Sequence, residues 1–164
     1  MDSAAIRPAT AQDARALTDL ALRSKAHWGY DAEFLELCRE DLTVTDAHIA
    51  TRDLGVAVDG GRVLGFFMLG DSGDVLDMLF VEPGAIGRGV GRMLLAEAVR
   101  VARGRGIRAL LIDSDPFAEG FYLAAGARRI GEVASQSIPG RTLPQLELLV
   151  EPLPGHGAGR RPES

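Results

Sequence analysis

The chain has 164 residues, 46% apolar and 25% charged, which is enough for one domain with a sizeable core. A net charge of −5 argues against a surface built for nucleic acid or anionic membrane, and no apolar run approaches the roughly 20 residues of a membrane span. One cysteine, Cys38, excludes an intrachain disulfide and argues against a cysteine-ligated metal site, so no metal is expected.

The start, Met1-Asp2-Ser3-Ala4-Ala5, has no charged n-region and no apolar h-region, so a soluble, cytoplasmic protein is expected. Ala5 to Pro8 is a short strand candidate. From Thr10 or Gln12-Asp13 a helix runs to about Lys25, with Ala14, Leu17, Leu20 and Ala21 on one face. Asp31 can cap a second helix that holds Phe34, Leu35, Leu37 and Cys38, the cysteine as a small core residue. Thr45-Asp46 can cap a short turn. Leu54 to Val58 and Val63 to Leu69 read as strands joined by Asp59-Gly60-Gly61, a strong hairpin signal.

Val75 to Val81 is a short apolar run, as for a strand covered on both faces, ended by Pro83 and Gly84. From Val90 the period becomes helical, with Val90, Leu94, Ala98 and Val101 on one side and Gly104 at the end. Ala109 to Ile112 is a buried strand. Phe117 to Ala125 is a short helix, and Arg128 to Ala134 and Pro144 to Val150 are two last strands. Residues 1–151 are read as one domain, and the Pro/Gly/Arg-rich tail 152–164 is expected to be disordered. Early helices, an antiparallel meander and a strand-helix-strand unit make the order α+β with one parallel pair.

Between strand and helix stands Ile86-Gly87-Arg88-Gly89-Val90-Gly91-Arg92. Glycines allow close approach and unusual φ, and the first N–H groups of a helix point outward with the positive end of its dipole. Such a turn can hold a phosphate, or can simply be a tight connection. A P-loop is excluded because it needs Lys. A dinucleotide fingerprint would need glycine where Arg92 stands, although Asp113 could serve as its ribose acid. The spacing resembles the Arg/Gln-x-x-Gly-x-Gly/Ala acyl-CoA loop of the GNAT N-acetyltransferases, with Gly89 and Gly91 as its glycines and Ile86 where Arg or Gln is usual. A second stretch, Asp115 to Gly126, resembles the family's Asn-x-x-Ala-x-x-Phe-Tyr-x-x-x-Gly, with Ala118, Phe121, Tyr122 and Gly126 matching and Asp115 replacing Asn.

The resemblance covers about Ile6 to Val150. It implies the GNAT fold, a mostly antiparallel sheet with one parallel pair, flanked by helices. It also implies acetyl-CoA as co-substrate and transfer of its acetyl group to a primary amine by direct attack in a ternary complex. The alternative is a regulatory domain that binds acyl-CoA without catalysis. By the same resemblance, the backbone at Leu79, Phe80 and Val81 would pair with pantetheine and polarise the carbonyl. The loop residues Ile86 to Arg92, with Asp115, Ala118 and Phe121, would hold the cofactor. Tyr122 would be an acid or donor near the sulfur, or else a packed aromatic. Asp77, the one charge inside an apolar strand, is the candidate base if burial raises its pKa. It could instead be held by an arginine, with Glu82 as second candidate. His27, Trp28, Tyr30, Ser135, Ser137 and Arg141 would line the acceptor site. Family habit adds the expectation of a homodimer.

Overall fold

The computed structural model describes residues 4–150. β1 (Ala5–Pro8) leads through a 3-10 turn into α1 (Ala14–His27) and α2 (Ala32–Cys38), followed by the short α3 (Asp46–Thr51). The expected caps form: Asp31 accepts from the Phe34 N–H at 2.9 Å, and Thr45 from that of His48 at 3.1 Å. Leu37 departs from the expected apolar face of α2 and is exposed. The meander follows as β2 (Leu54–Asp59), β3 (Arg62–Leu69) and β4 (Leu76–Val81). Its first turn carries φ of 59° at Gly60 and 85° at Gly61, the left-handed pair that a tight hairpin needs.

After β4 come α4 (Val90–Gly104), β5 (Ala109–Asp113), α5 (Glu119–Ala124), β6 (Arg128–Ala134) and β7 (Thr142–Leu149). These strands form two sheets, a four-stranded β1-β2-β3-β4 and a three-stranded β5-β7-β6, both antiparallel. The parallel pairing expected across α4 is a single bridge, Val75 to Leu111, where the Leu111 N–H donates to the Asp74 carbonyl at 2.9 Å. Beyond it β4 and β5 form no further ladder among the described residues. The tail from Pro152, expected to be disordered, lies outside those residues.

β4 is covered on both faces, as its apolar run implies. Leu76, Leu79 and Val81 pack with Leu94, Leu95 and Ala98 of α4, and this core continues under the second sheet through Leu110, Ile112 and Leu146. Met78 and Phe80 pack with Leu17, Leu20 and Ala21 of α1. Asp77 is the exception and is exposed at the rim of the sheet. α4 buries Val90, Leu94, Ala98 and Ala102, a four-residue spacing that makes one continuous apolar stripe. Gly65 on β3 leaves room for it, since a Cβ there would come within 3.0 Å of Leu94 and 2.7 Å of the Phe80 carbonyl.

Leu94, fully buried, is therefore the centre of the contact between α4 and the first sheet. Leu94→Ala should lower unfolding stability by about 2–5 kcal/mol, the range for emptying a well-packed leucine site. Urea titration checks this; a loss below about 1 kcal/mol would mean that the helix repacks freely and does not anchor that sheet.

Candidate functional site

Where β4 and β5 part, a cleft of about 940 Å³ opens between the sheets. Its first wall is the free edge of β4. The Glu82 N–H donates to the Leu64 carbonyl at 2.8 Å, so the two-residue alternation turns Phe80 and Met78 toward β3. The backbone groups of Leu79 and Val81 are left on the cleft side. The sequence placed a thioester-polarising edge on these residues, and all three of Leu79, Phe80 and Val81 line the cleft.

The glycine turn closes one end. Gly87 and Gly89 have φ of 87° and 84°, and Gly89 caps α4. A side chain in that backbone region is strained, which is why glycine stands there. Ile86, Gly87, Gly89, Gly91 and Arg92 line the cleft. Two of the residues expected there do not. Val90 is buried in the core, and Arg88 turns away to within 3.9 Å of Asp59. Gly91 also differs in its reason: a Cβ there would press the Phe121 ring at 3.3 Å, so this glycine serves helix packing as much as ligand approach.

Two hydroxyls face the cleft without a hydrogen-bond partner among the described residues. Tyr122 is 6% exposed, its ring set edge-on to Phe121 at 5.1 Å between centroids, and burial pushes its pKa above the ordinary tyrosine range. Ser24 on α1 is 5% exposed. Both hydroxyls are therefore available to a molecule in the cleft.

The residues expected on the acceptor side are divided between the cleft and its surroundings. Trp28, Ser135, Ser137 and Arg141 line the cleft; His27 and Tyr30 do not. His27 is exposed and touches only the edge of Trp28, which stacks on Phe117 at 5.5 Å and 2°. Tyr30 stands behind the wall in a polar chain. Arg141 Nη2 donates to the Tyr30 hydroxyl at 2.7 Å, the hydroxyl lies 3.1 Å from Asp115 Oδ2, and Lys25 Nζ donates to that same oxygen at 2.7 Å. Burial lifts the Tyr30 pKa to about 12. Asp115 also caps its own turn by accepting from the Phe117 N–H at 2.8 Å. Burial opposes its charge, but the Lys25 hydrogen bond and charge, with the Phe117 N–H and Tyr30 hydroxyl, outweigh this and hold the carboxyl below its usual range. Its oxygens are thus occupied by protein groups, which changes the role expected for this cofactor-side residue.

Asp77 corrects the expectation of a desolvated carboxylate. Its side chain is 42% exposed and accepts from Arg52 Nη1 at 2.8 Å, while Arg52 Nε donates to Asp71. The second base candidate, Glu82, makes a bidentate pair with Arg23 at 2.6 and 3.0 Å, and that pairing holds its pKa down. No sequence signal marked Ser24, Lys25, Asp41, His48 or Arg52 as cleft residues. The one available hint was that Lys25 is the sole lysine in the chain. Among the described residues no group of His, Cys, Asp and Glu is arranged to hold a metal ion.

A splayed pair of sheets, a glycine turn at a helix start and an open strand edge between them frame the cleft. Residues 15–127 match the Acetyltransferase (GNAT) family model, and the chain belongs to that family. It is an acetyltransferase of the α+β fold that its motifs implied. It is 29% identical over 120 residues, 73% of this chain and 75% of the relative, to the peptidyl-lysine N-acetyltransferase YjaB of Salmonella typhimurium. A GNAT-type structure from Rhodopseudomonas palustris aligns with a TM-score of 0.79 at 25% identity, covering 91% of this chain and 97% of that one. The PaiA N-acetyltransferase of Thermoplasma acidophilum, solved with coenzyme A, shares the fold at a TM-score of 0.74 and 20% identity, covering 90% and 99%.

Asp115 supplies a test of the polar chain. A carboxyl whose folded pKa is depressed adds stability above its unfolded pKa of about 3.9, and loses it as pH falls through the folded value. Asp115→Asn should therefore be less stable than wild type by about 1–3 kcal/mol at pH 7, with the gap narrowing as pH falls below about 4. Urea titrations at pH 7 and near pH 3 measure it. A gap of the same size at both would show that the charge of Asp115 is not what holds Lys25 and Tyr30.

Proposed function

We propose that the protein transfers the acetyl group of acetyl-CoA to a primary amine within this cleft. The observation that carries the reading is the open backbone edge at Leu79 and Val81, flanked by the α4 N-terminus on one side and the unpartnered Tyr122 hydroxyl on the other. Acetyl-CoA supplies an activated acetyl thioester. The chain supplies three matched features. Outward N–H groups at the first turn of α4 and the Gly87 and Gly89 backbone suit a pyrophosphate. The β4 edge suits an extended pantetheine arm, and an N–H there can stabilise the charge that develops on the carbonyl oxygen. Tyr122, with a raised pKa, stays protonated and can donate to a departing thiolate.

The amine enters from the side lined by Ser24, Trp28 and Arg141. The Ser24 hydroxyl can accept an N–H and orient the lone pair toward the β4 edge. Asp77, exposed and held by Arg52, belongs to the rim of the cleft, and Glu82 is committed to Arg23. We infer that neither takes the proton directly and that it leaves to solvent at the open side. The similarity to a peptidyl-lysine N-acetyltransferase favours a lysine side chain of a peptide as the acceptor. The regulatory alternative leaves both buried hydroxyls without a use.

Two substitutions test the reading. Gly89→Val puts a strained side chain at the cap and should weaken acetyl-CoA binding by about tenfold or more, whereas Arg88→Ala, which points elsewhere, should change it by less than about threefold. Calorimetric titration reports both, and unchanged affinity in folded Gly89→Val would remove the loop from the cofactor site. Tyr122→Phe should lower kcat by roughly 10²-fold at unchanged acetyl-CoA Kd, with Tm equal or slightly raised because an unsatisfied hydroxyl is gone. Turnover within about twofold of wild type would make Tyr122 structural.

A further inference from the structure

The acceptor wall holds a guanidinium whose hydrogen-bond donors its neighbours do not use up. Lys25 and Asp115 meet at 2.7 Å. Among the described residues no carboxylate lies within hydrogen-bond distance of Arg141. Its Nη2 donates to the Tyr30 hydroxyl at 2.7 Å and lies 3.7 Å from Asp115 Oδ2, and among the described residues nothing accepts from its Nε or Nη1. Asp41, which accepts from the Ser137 hydroxyl, and Glu40 also line the cleft, so the wall carries both signs of charge.

This guanidinium is held firmly. Its side chain is 19% exposed, and its Cζ lies 5.3 Å from the Tyr30 ring centroid and 4.9 Å from that of Phe34. Those two rings stack at 4.1 Å. The backbone is fixed as well, with the Ser135 N–H donating to the Arg141 carbonyl at 2.7 Å and the Arg141 N–H donating to Ile138 at 3.2 Å. A planar cation fixed by rings, largely removed from water and lining a cleft with donors unused, is matched by a carboxylate in fork geometry.

We propose that Arg141 is the specificity residue of the acceptor site and takes a carboxylate on the same molecule that presents the amine. The proposal rests on the acetyltransferase reading and narrows it. Acceptors are amino-acid-like or acidic-peptide amines. The carboxylate has two sources, the α-carboxylate of a free amino acid or an acidic side chain beside a peptide lysine.

The test compares kcat/KM, at saturating acetyl-CoA, for lysine against lysinamide and for a short peptide with Glu beside its lysine against its Gln counterpart. The carboxylate member of at least one pair should be favoured by about tenfold or more, mainly through KM, and the pair that shows it identifies the source. Arg141→Gln should bring that pair to within about twofold with unchanged acetyl-CoA Kd, and Arg141→Lys, which keeps charge without the fork, should retain part of the preference. Equal kcat/KM within both pairs in wild type overturns the proposal, as does an Arg141→Gln variant that slows both members by one factor. The wild-type comparison does not depend on any variant folding. Calorimetric titration of the CoA-saturated protein with the same four compounds reads the preference without turnover, and equal or undetectable binding within both pairs also overturns it. Failure to acetylate any amine would instead sink the acetyltransferase reading, with the titration still deciding the Arg141 subsite.

Discussion

Everything at the site follows from the single bridge between Val75 and Leu111. Had β4 and β5 paired along their length, the Leu79 and Val81 backbone would have been consumed in a ladder and the cleft closed. One bridge joins the start of β4 to the middle of β5, and the strands then separate. α4 is buried against the first sheet, and its apolar core continues under the second through Leu110, Ile112 and Leu146. The price is an unpaired strand edge inside a protein, a feature normally avoided because such edges recruit other strands. Here it is walled by α1, α5 and the β6–β7 loop.

The second organising feature is Asp115. Lys25 comes from α1, Tyr30 from the loop after it, and Arg141 from the β6–β7 connection, and all three converge on one carboxylate or its hydroxyl neighbour. Buried charges are tolerated only when paired and hydrogen-bonded. Any movement of one segment would strand the charges of the others, so the acceptor wall is coupled as a unit. This explains how three loops, each free to vary in isolation, present a fixed surface to a substrate.

The order and type of the elements were legible because the chain punctuates them clearly. Asp59-Gly60-Gly61 and Gly126 mark turns by residues that tolerate positive φ, and the change from strand to helical period at Val90 is abrupt. What sequence could not convey were partners far apart in the chain. Asp77 looked isolated among apolar neighbours, yet its partner Arg52 lies 25 residues away. Asp115 looked like a departure from a cofactor motif until Lys25, 90 residues away, supplied its counter-charge. Arg88 looked like one more cation for a phosphate, but the cap geometry at Gly89 faces it toward Asp59. Ser24 gave no signal, since a single hydroxyl in an amphipathic helix is unremarkable until burial and the absence of a partner are both known.

The chain carries seventeen arginines' worth of choice against one lysine, for Lys25 is the only lysine among 18 basic residues. That lysine is 13% exposed and clasped by a carboxylate. A catalyst for amines therefore has no other lysine for its own reaction, or for any amine-directed reagent, to mark. Guanidinium groups carry the rest of its positive side-chain charge and are inert to acyl thioesters, so at high acetyl-donor concentrations one clasped lysine is the only lysine side chain open to acylation.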